Sequence, residues 1–291
     1  MNIKKILTGL AFLLIIIFLI KLLLSITADW KASKSIRDLP EIKKAKTLNV
    51  VTEYNSVDFY VSGDSVAGFQ LDLCRYIAQR SGLKVQIYLE NDLETAIRKL
   101  ENKEYDVIAQ KIPITNVNKQ FLTFTVPITQ SKQVLVQRKR NNNDSTRFIA
   151  SQLDLANETI YVAKNSPAIM RLNNLAEEIA EPIHIKEISG YTSEQLIYMV
   201  AKKEAEYAVV DKEIALQNIH LYPDLDFNTD ISFTQLQAWA IRKTSPVLLD
   251  SLNIWIMEFK QNDDKNRKPI TSGRKQSMRI FQSSLYRIAN D

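Results

Sequence analysis

The sequence predicts an α/β protein of two similar lobes behind an N-terminal apolar helix, and three observations carry that reading. Segments with strand alternation and segments with helical spacing follow one another from about residue 47 to residue 260. The order of those segments in the first half returns in the second. At the start of the chain, Ile6–Ile20 is an unbroken uncharged and almost wholly apolar run.

The apolar run comes first. Lys4 and Lys5 precede it, Lys21 interrupts it, and Leu22–Ile26 closes it. A membrane span needs about 20 residues, which Ile6–Ile26 supplies when Lys21 snorkels to the far interface. The leading lysines favour a cytoplasmic N-terminus, and Trp30 suits an interfacial position. Thr27–Ala28–Asp29–Trp30 is a poor cleavage site, so residues 1–27 are expected to be an uncleaved anchor rather than a removed signal. No Cys lies near the end of the run, which excludes lipid attachment there. Residues 28–46 read as a polar, Lys-rich linker.

Leu48–Val51 then reads as a strand. Leu71, Cys74, Ile77 and Ala78 are spaced as a helix face, with Gly82 where a C-cap belongs. Val85, Ile87 and Leu89 alternate as a strand, Leu93, Ala96, Ile97 and Leu100 form another helix stripe, and Tyr105–Ala109 is the next strand. The second half follows with a strand at Thr159–Ala163, a helix from Ser166–Pro167 to Ile179, an extended His184–Ile188, a helix over Glu194–Lys203 and a strand at Tyr207–Val210. Lys103–Ala109 (KEYDVIA) is echoed by Ala205–Asp211 (AEYAVVD), each after an amphipathic helix. Strands alternating with helices imply mainly parallel sheets, whose ligands bind beyond the carboxyl ends of the strands. That rule nominates Glu53–Ser56, Gln110–Lys111, Lys164–Ser166 and Asp211–Lys212, which line one cleft when the two lobes face each other.

Charge excludes other classes. The net charge of +5 is uneven: residues 1–46 hold nine Lys/Arg against three Asp/Glu, and 260–291 hold eight against three. The body between them is acidic, with 21 basic and 27 acidic residues, so no nucleic-acid footprint is expected. Cys74 is the one cysteine, which rules out an intrachain disulfide and fits a buried packing role. His184 and His220 stand 36 residues apart, and no zinc motif, Walker loop, nucleophile elbow or dinucleotide fingerprint occurs. No cofactor or metal is expected.

Gly68–Asp72, Tyr105–Ile108, Ile114–Thr115, Phe124 with Pro127, and Tyr207–Asp211, in that order, resemble the family-3 extracellular solute-binding proteins. Ser131–Lys139 and Ile231–Arg242 are similar to the non-catalytic N-terminal regulatory half of membrane-bound lytic transglycosylase F. The resemblance implies the type II periplasmic-binding-protein fold: two α/β lobes joined by two hinge crossovers, here with the N-terminal transmembrane helix in front. It implies lobe 1 over 48–127 and 239–260, lobe 2 over 128–238, and a basic C-terminal tail over 261–291. The crossovers are expected near Pro127–Gln130 and Gln237–Ala240. Only 49 residues follow Arg242, too few for a lysozyme-like catalytic domain, so a non-enzymatic role is expected.

Asp211 is the position that pairs with a ligand ammonium in the family; as an Asp before a helix it is also a natural N-cap. Ser166 belongs to the loop that holds a ligand carboxylate, although Ser-Pro also opens ordinary helices. Thr115 matches the family's Thr-x-x-Arg, but Asn118 stands where the arginine belongs and lacks its charge and its fork. Lys111 or Arg171 is expected to replace that clamp if either leaves the solvated surface. Tyr54, Tyr60 and Phe69 are expected as an aromatic wall, with a core role as the plainer reading; Gln70 is expected at the cleft edge and Asn55 beside it. The function expected is membrane-anchored extracytoplasmic sensing of a small polar ligand (an amino acid, peptide or peptidoglycan fragment) at the bacterial inner membrane. A cell-wall enzyme or a transporter would be its partner. Loss of the clamping arginine points instead to a degenerate domain serving as a protein-interaction module.

Overall fold

The computed structural model describes residues 36–140 and 146–266, together with Ile16 and Lys21. The expected membrane anchor, all but those two residues of it, the first part of the linker and the tail beyond Asn266 lie outside the described residues. Among the described residues no helix is long and apolar enough to cross a membrane.

The described chain from Asp38 onward holds two large sheets, one in each lobe, and a separate two-stranded one. Helix α1 (Leu39–Ala45) opens with a capping box in which Asp38 and Glu41 satisfy each other's backbone. Strand β1 (Thr47–Thr52), a short hairpin of β2 (Tyr60–Ser62) and β3 (Ser65–Ala67), and α2 (Phe69–Ser81) follow. Then come β4 (Lys84–Leu89), α3 (Leu93–Glu101), β5 (Val107–Pro113), β6 (Thr123–Phe124) and β7 (Thr129–Ser131). Lobe 2 contributes β8 (Gln133–Arg138), β9 (Thr159–Ala163), α4 (Ala168–Ile179), β10 (His184–Ile188), α5 (Ser193–Ala201), β11 (Tyr207–Asp211), α6 (Lys212–Asn218) and β12 (Leu225–Asp226). The chain returns through β13 (Gln235–Ile241) and ends in α7 (Pro246–Asn266).

The first sheet runs β4-β1-β5-β13-β6, with β7 paired to β13; the second runs β10-β9-β11-β8-β12. Strands β4, β1 and β5 are parallel, as are β10, β9 and β11. The connecting helices therefore cover both faces, and the strand side chains alternate between them. Leu48, Val50, Val107, Ala109, Trp239 and Ile241 face α2 and α7, whereas Val51, Ile108, Ile112 and Ala240 face α3. Lobe 2 repeats the arrangement, with Val134, Val136, Ala208 and Val210 toward α5 and α6, and Leu135, Ile160, Val162 and Val209 toward α4. Cys74 is buried in the first of these cores as expected, and burial pushes its thiol up to about 12.

Two crossovers join the lobes. The outgoing one is β7, which pairs antiparallel with β13 through Gln235–Ser131 and Gln237–Thr129, and leads straight into β8. The returning one lies between Ile231, whose N–H still bonds Gln133, and the start of β13 at Gln235. Gln237–Ala240, expected at this crossover, instead lies within the lobe 1 sheet, because Ala238, Trp239 and Ala240 are apolar enough to be buried in its layers.

Candidate functional site

Glu53 and the loop after it leave the carboxyl end of β1, and Lys111 lies in the last half of β5. Asp211 ends β11 in the other lobe. The strand-end rule for α/β sheets thus brings together residues from both lobes, and side chains of the two lobes bond one another. Ser56 donates from its N–H and its Oγ–H to Glu194 Oε1 in α5, each at 2.8 Å. Lys111 Nζ reaches Glu213 Oε2 in α6 at 2.5 Å, and Asn165 Nδ2 reaches Asp92 Oδ1 at 3.0 Å. Val57 packs against the apolar core beneath α5 and α6.

The lobe 1 loop is held from below. Gly68, at φ +139°, has backbone so close that a Cβ there would sit 2.1 Å from the Asp58 carbonyl oxygen. Asn55 Oδ1 accepts from the Val57 and Asp58 N–H groups, and its Nδ2 donates to Asp58 Oδ2 at 2.9 Å. Trp239 Nε1 donates to Gln70 Oε1 at 2.6 Å, and Gln70 Nε2 passes the chain on to Asp58 Oδ1 at 3.2 Å. Asp58, 1% exposed, then pairs with Lys111 at 3.2 Å. Gln70 is therefore a wholly buried strut beneath the loop rather than a cleft-edge group. Asn55 shapes the loop's own turn, because an Asn side chain satisfies nearby backbone amides.

Lobe 2 presents its carboxylates at helix starts. Asp211 Oδ1 caps α6 through Glu213 N at 2.9 Å and accepts from Ser131 Oγ at 2.9 Å; its Oδ2 accepts from Gln237 Nε2 at 3.2 Å. Glu213 Oε1 accepts from Thr129 Oγ1 at 3.0 Å. Glu194, in the first turn of α5, is 1% exposed. The macrodipole makes such helix starts favourable for negative charge.

Five carboxylates, Glu53, Asp58, Glu194, Asp211 and Glu213, thus surround one ammonium, Lys111. The electrostatics follow from that ratio. Burial first, then Asp58, with Glu194 and Asp211 adding to them against the opposing pull of Lys111, together push the Glu53 carboxyl up to about 8. Burial likewise raises Asp211, while its bonds from Glu213 N–H and Ser131 and the nearby Lys111 hold it back. Burial works against the charge of Lys111, yet Asp58 and Glu213 keep its ammonium above the ordinary lysine range. Among the described residues no three of His, Cys, Asp and Glu are grouped to hold a metal ion.

Several expected contacts lie elsewhere. Phe69 stacks edge-on against Phe259 with centroids 6.0 Å apart, in the core between α2 and α7. Arg171 bonds Ile231 O at 3.1 Å and pairs with Glu178 at 2.6 Å, so its guanidinium is held within lobe 2. Tyr54 is half-buried with its backbone tied to Asn91, and Tyr60 sits in the β2–β3 hairpin. Thr115 Oγ1 accepts from Asn118 N–H at 3.1 Å, and Asn118 Nδ2 donates back to Pro113 O at 3.0 Å. Ser166 Oγ accepts from Ala168 N–H at 3.2 Å. Asp58, Glu194, Glu213 and Gln237 were not among the sequence candidates. A hollow of about 330 Å³ lined by Arg138, Arg140, Arg147 and Tyr207 lies at the opposite, amino end of β11.

Comparison with known proteins agrees with this architecture. Membrane-bound lytic murein transglycosylase F of Desulfosudis oleivorans is 27% identical over 231 residues, which cover 79% of this chain and 49% of that protein. Its namesake from Cellvibrio japonicus is 23% identical over 262 residues, covering 90% and 50%. The chain spans about half the length of the curated relatives it matches. Among solved structures, holo ArgBP from T. maritima superposes with TM-score 0.65 at 24% identity, covering 76% of this chain and 94% of that one. The amino acid ABC transporter substrate-binding protein AbpA of Streptococcus pneumoniae, bound to L-arginine, gives 0.68 at 17% identity, covering 82% and 99%. Both share the two-lobed fold. The family description that matches residues 48–267 is the one for the bacterial extracellular solute-binding proteins, family 3, and the chain belongs to that family.

Proposed function

We propose that this chain is an extracytoplasmic solute-binding and sensing domain whose lobes close on a small polar ligand bearing a positively charged group. The observation that carries this reading is the cluster of carboxylates around Lys111, contributed by both lobes beyond the carboxyl ends of their parallel strands, with Asp211 among them. The two crossovers, β7 and the segment before β13, serve as the hinges. The apolar run Ile6–Ile26 holds the domain at the inner membrane. The likeness to lytic transglycosylases supports a ligand among amino acids, peptides and peptidoglycan fragments and a cell-wall enzyme as partner; the likeness to binding proteins supports a transporter as the alternative. On this reading the domain binds rather than catalyses: among the described residues the cleft presents binding groups contributed by both lobes.

A second reading has one observation behind it. Asn118, in place of the family's clamping arginine, spends its side chain on Pro113, which suits a degenerate domain that binds a protein rather than a solute. Thermal melting of the full chain in detergent, with amino acids, amines and muropeptides, separates the two. A ligand at a hundred times its Kd is expected to add about 2.7 kcal/mol, roughly 5–10 °C in Tm for a domain of this size. Asp211→Asn, which keeps a good helix cap, is expected to abolish that shift. No shift with any of them leaves only the protein-interaction module.

A further inference from the structure

The hydrogen-bond inventory of the cleft is one-sided. Among the described residues Glu194 Oε2 and Gln237 Oε1 are buried acceptors that receive no donor, although their side chains are otherwise engaged. Glu194 is 1% and Gln237 3% exposed. A buried acceptor left unpaired costs about 1–3 kcal/mol, and more when it is charged. Both groups belong to the cluster, since Gln237 holds Asp211, and Glu194 and Asp211 both act on Glu53.

Most donors, by contrast, are already used, the buried Thr192 hydroxyl at the start of α5 excepted. The Ala168 and Ile169 N–H groups at the start of α4 go to Ser166 Oγ and Ser166 O, and Pro167 has none to give. Asn118 gives its N–H to Thr115 and its side-chain amide to Pro113. Lys111 is taken by Asp58 and Glu213, Arg171 by Glu178, and Lys132 and Lys212 by Asp230. A ligand carboxylate entering here would meet five carboxylates and the already engaged ammonium of Lys111, with Lys164 exposed near Asp92 just past β9. A ligand ammonium or guanidinium would meet the two waiting acceptors and a field of its own opposite sign.

Resting on the solute-binding reading, we infer that the cleft takes an organic cation, an amine or guanidinium compound with at least two N–H donors, and that a ligand carboxylate contributes nothing to its binding. Glu194 and Gln237 supply the acceptors that select it, and Glu53, ionised by the arriving cation, gives up its proton. Two probe pairs isolate the carboxylate: arginine against agmatine, and lysine against cadaverine. Calorimetry on the full chain in detergent at pH 7 is expected to show at least one amine binding as tightly as its amino acid or more so, with release of a proton. Glu194→Gln is expected to weaken that amine tenfold or more. Should that variant fail to fold, Glu53→Gln, at a half-buried position, is expected to do the same and to suppress the proton release. Amino acids binding tenfold tighter than their amines would overturn the inference and leave the solute-binding reading intact. Binding of only neutral amino acids or muropeptides would do likewise, and binding of nothing at all would overturn both.

Discussion

The two ends of strand β5 both carry buried charge, and they are built in opposite ways. At the amino end Asp106, wholly buried, meets Arg242 at 3.0 Å, and that guanidinium also donates to Leu100 O at 2.9 Å and to Tyr105 O. One anion faces one cation, and backbone carbonyls take up further donors. At the carboxyl end Lys111 faces Asp58 and Glu213 with Glu53, Glu194 and Asp211 around them, and acceptors are left over. A balanced buried pair fastens β13 to β5. An unbalanced one costs stability in the isolated protein, and a ligand of the missing sign would offset that cost.

The largest expected effect tests the balanced end. Asp106→Ala removes the carboxylate that pairs with buried Arg242 and accepts from Asn49 N–H at 3.0 Å, and breaking a buried pair by removing one partner costs about 3–5 kcal/mol. Urea unfolding should show that loss, with ligand affinity unchanged in whatever fraction stays folded, because the cleft lies at the other end of the strand. A smaller effect tests the unbalanced end. The Glu53 carboxyl is raised from 4.5 to about 8, so between those values the folded protein binds more protons than the unfolded chain. Stability is then full below about pH 4.5 as far as this group is concerned and falls as pH rises toward about 8, after which the loss is complete. The expected loss is about 1–2 kcal/mol, below the full 1.4 kcal/mol per unit, because the neighbouring carboxylates share the proton. Glu53→Gln should flatten this slope in unfolding measured without ligand from pH 5 to pH 8. An unchanged slope would place the titration elsewhere.

The alternating pattern made most of the fold legible. Thr159–Ala163 and His184–Ile188 are strands over the ranges expected, and Gly82 is the left-handed cap of α2. The β2–β3 hairpin was not legible, because three-residue strands around Gly63 with exposed Val61 and Val66 carry no apolar period. In the site, Glu53, Ser56, Lys111 and Asp211 followed from strand ends, a rule that needs only the order of elements. Asp58 stands in an irregular loop, and Glu194 and Glu213 sit in first helical turns, where acids are ordinary. Only the facing of the two lobes turns them into one cluster. Gln70, Phe69 and Arg171 were expected from likeness alone, and each is spent on local packing: Gln70 beneath Trp239, Phe69 on Phe259, Arg171 on Glu178.

The distance across the cleft tests the central claim most directly. Spin labels at Leu89→Cys, the last residue of β4, and Tyr191→Cys, in the connection between β10 and α5, both exposed, report it, while Cys74 stays buried and unlabelled. With the strongest ligand from the melting screen, the distances should collapse to one short, narrow population, and Asp211→Asn should keep the broader distribution of the ligand-free protein. A ligand that raises Tm yet leaves the distances unchanged, in both the parent and the variant, would contradict a cleft that closes on its solute.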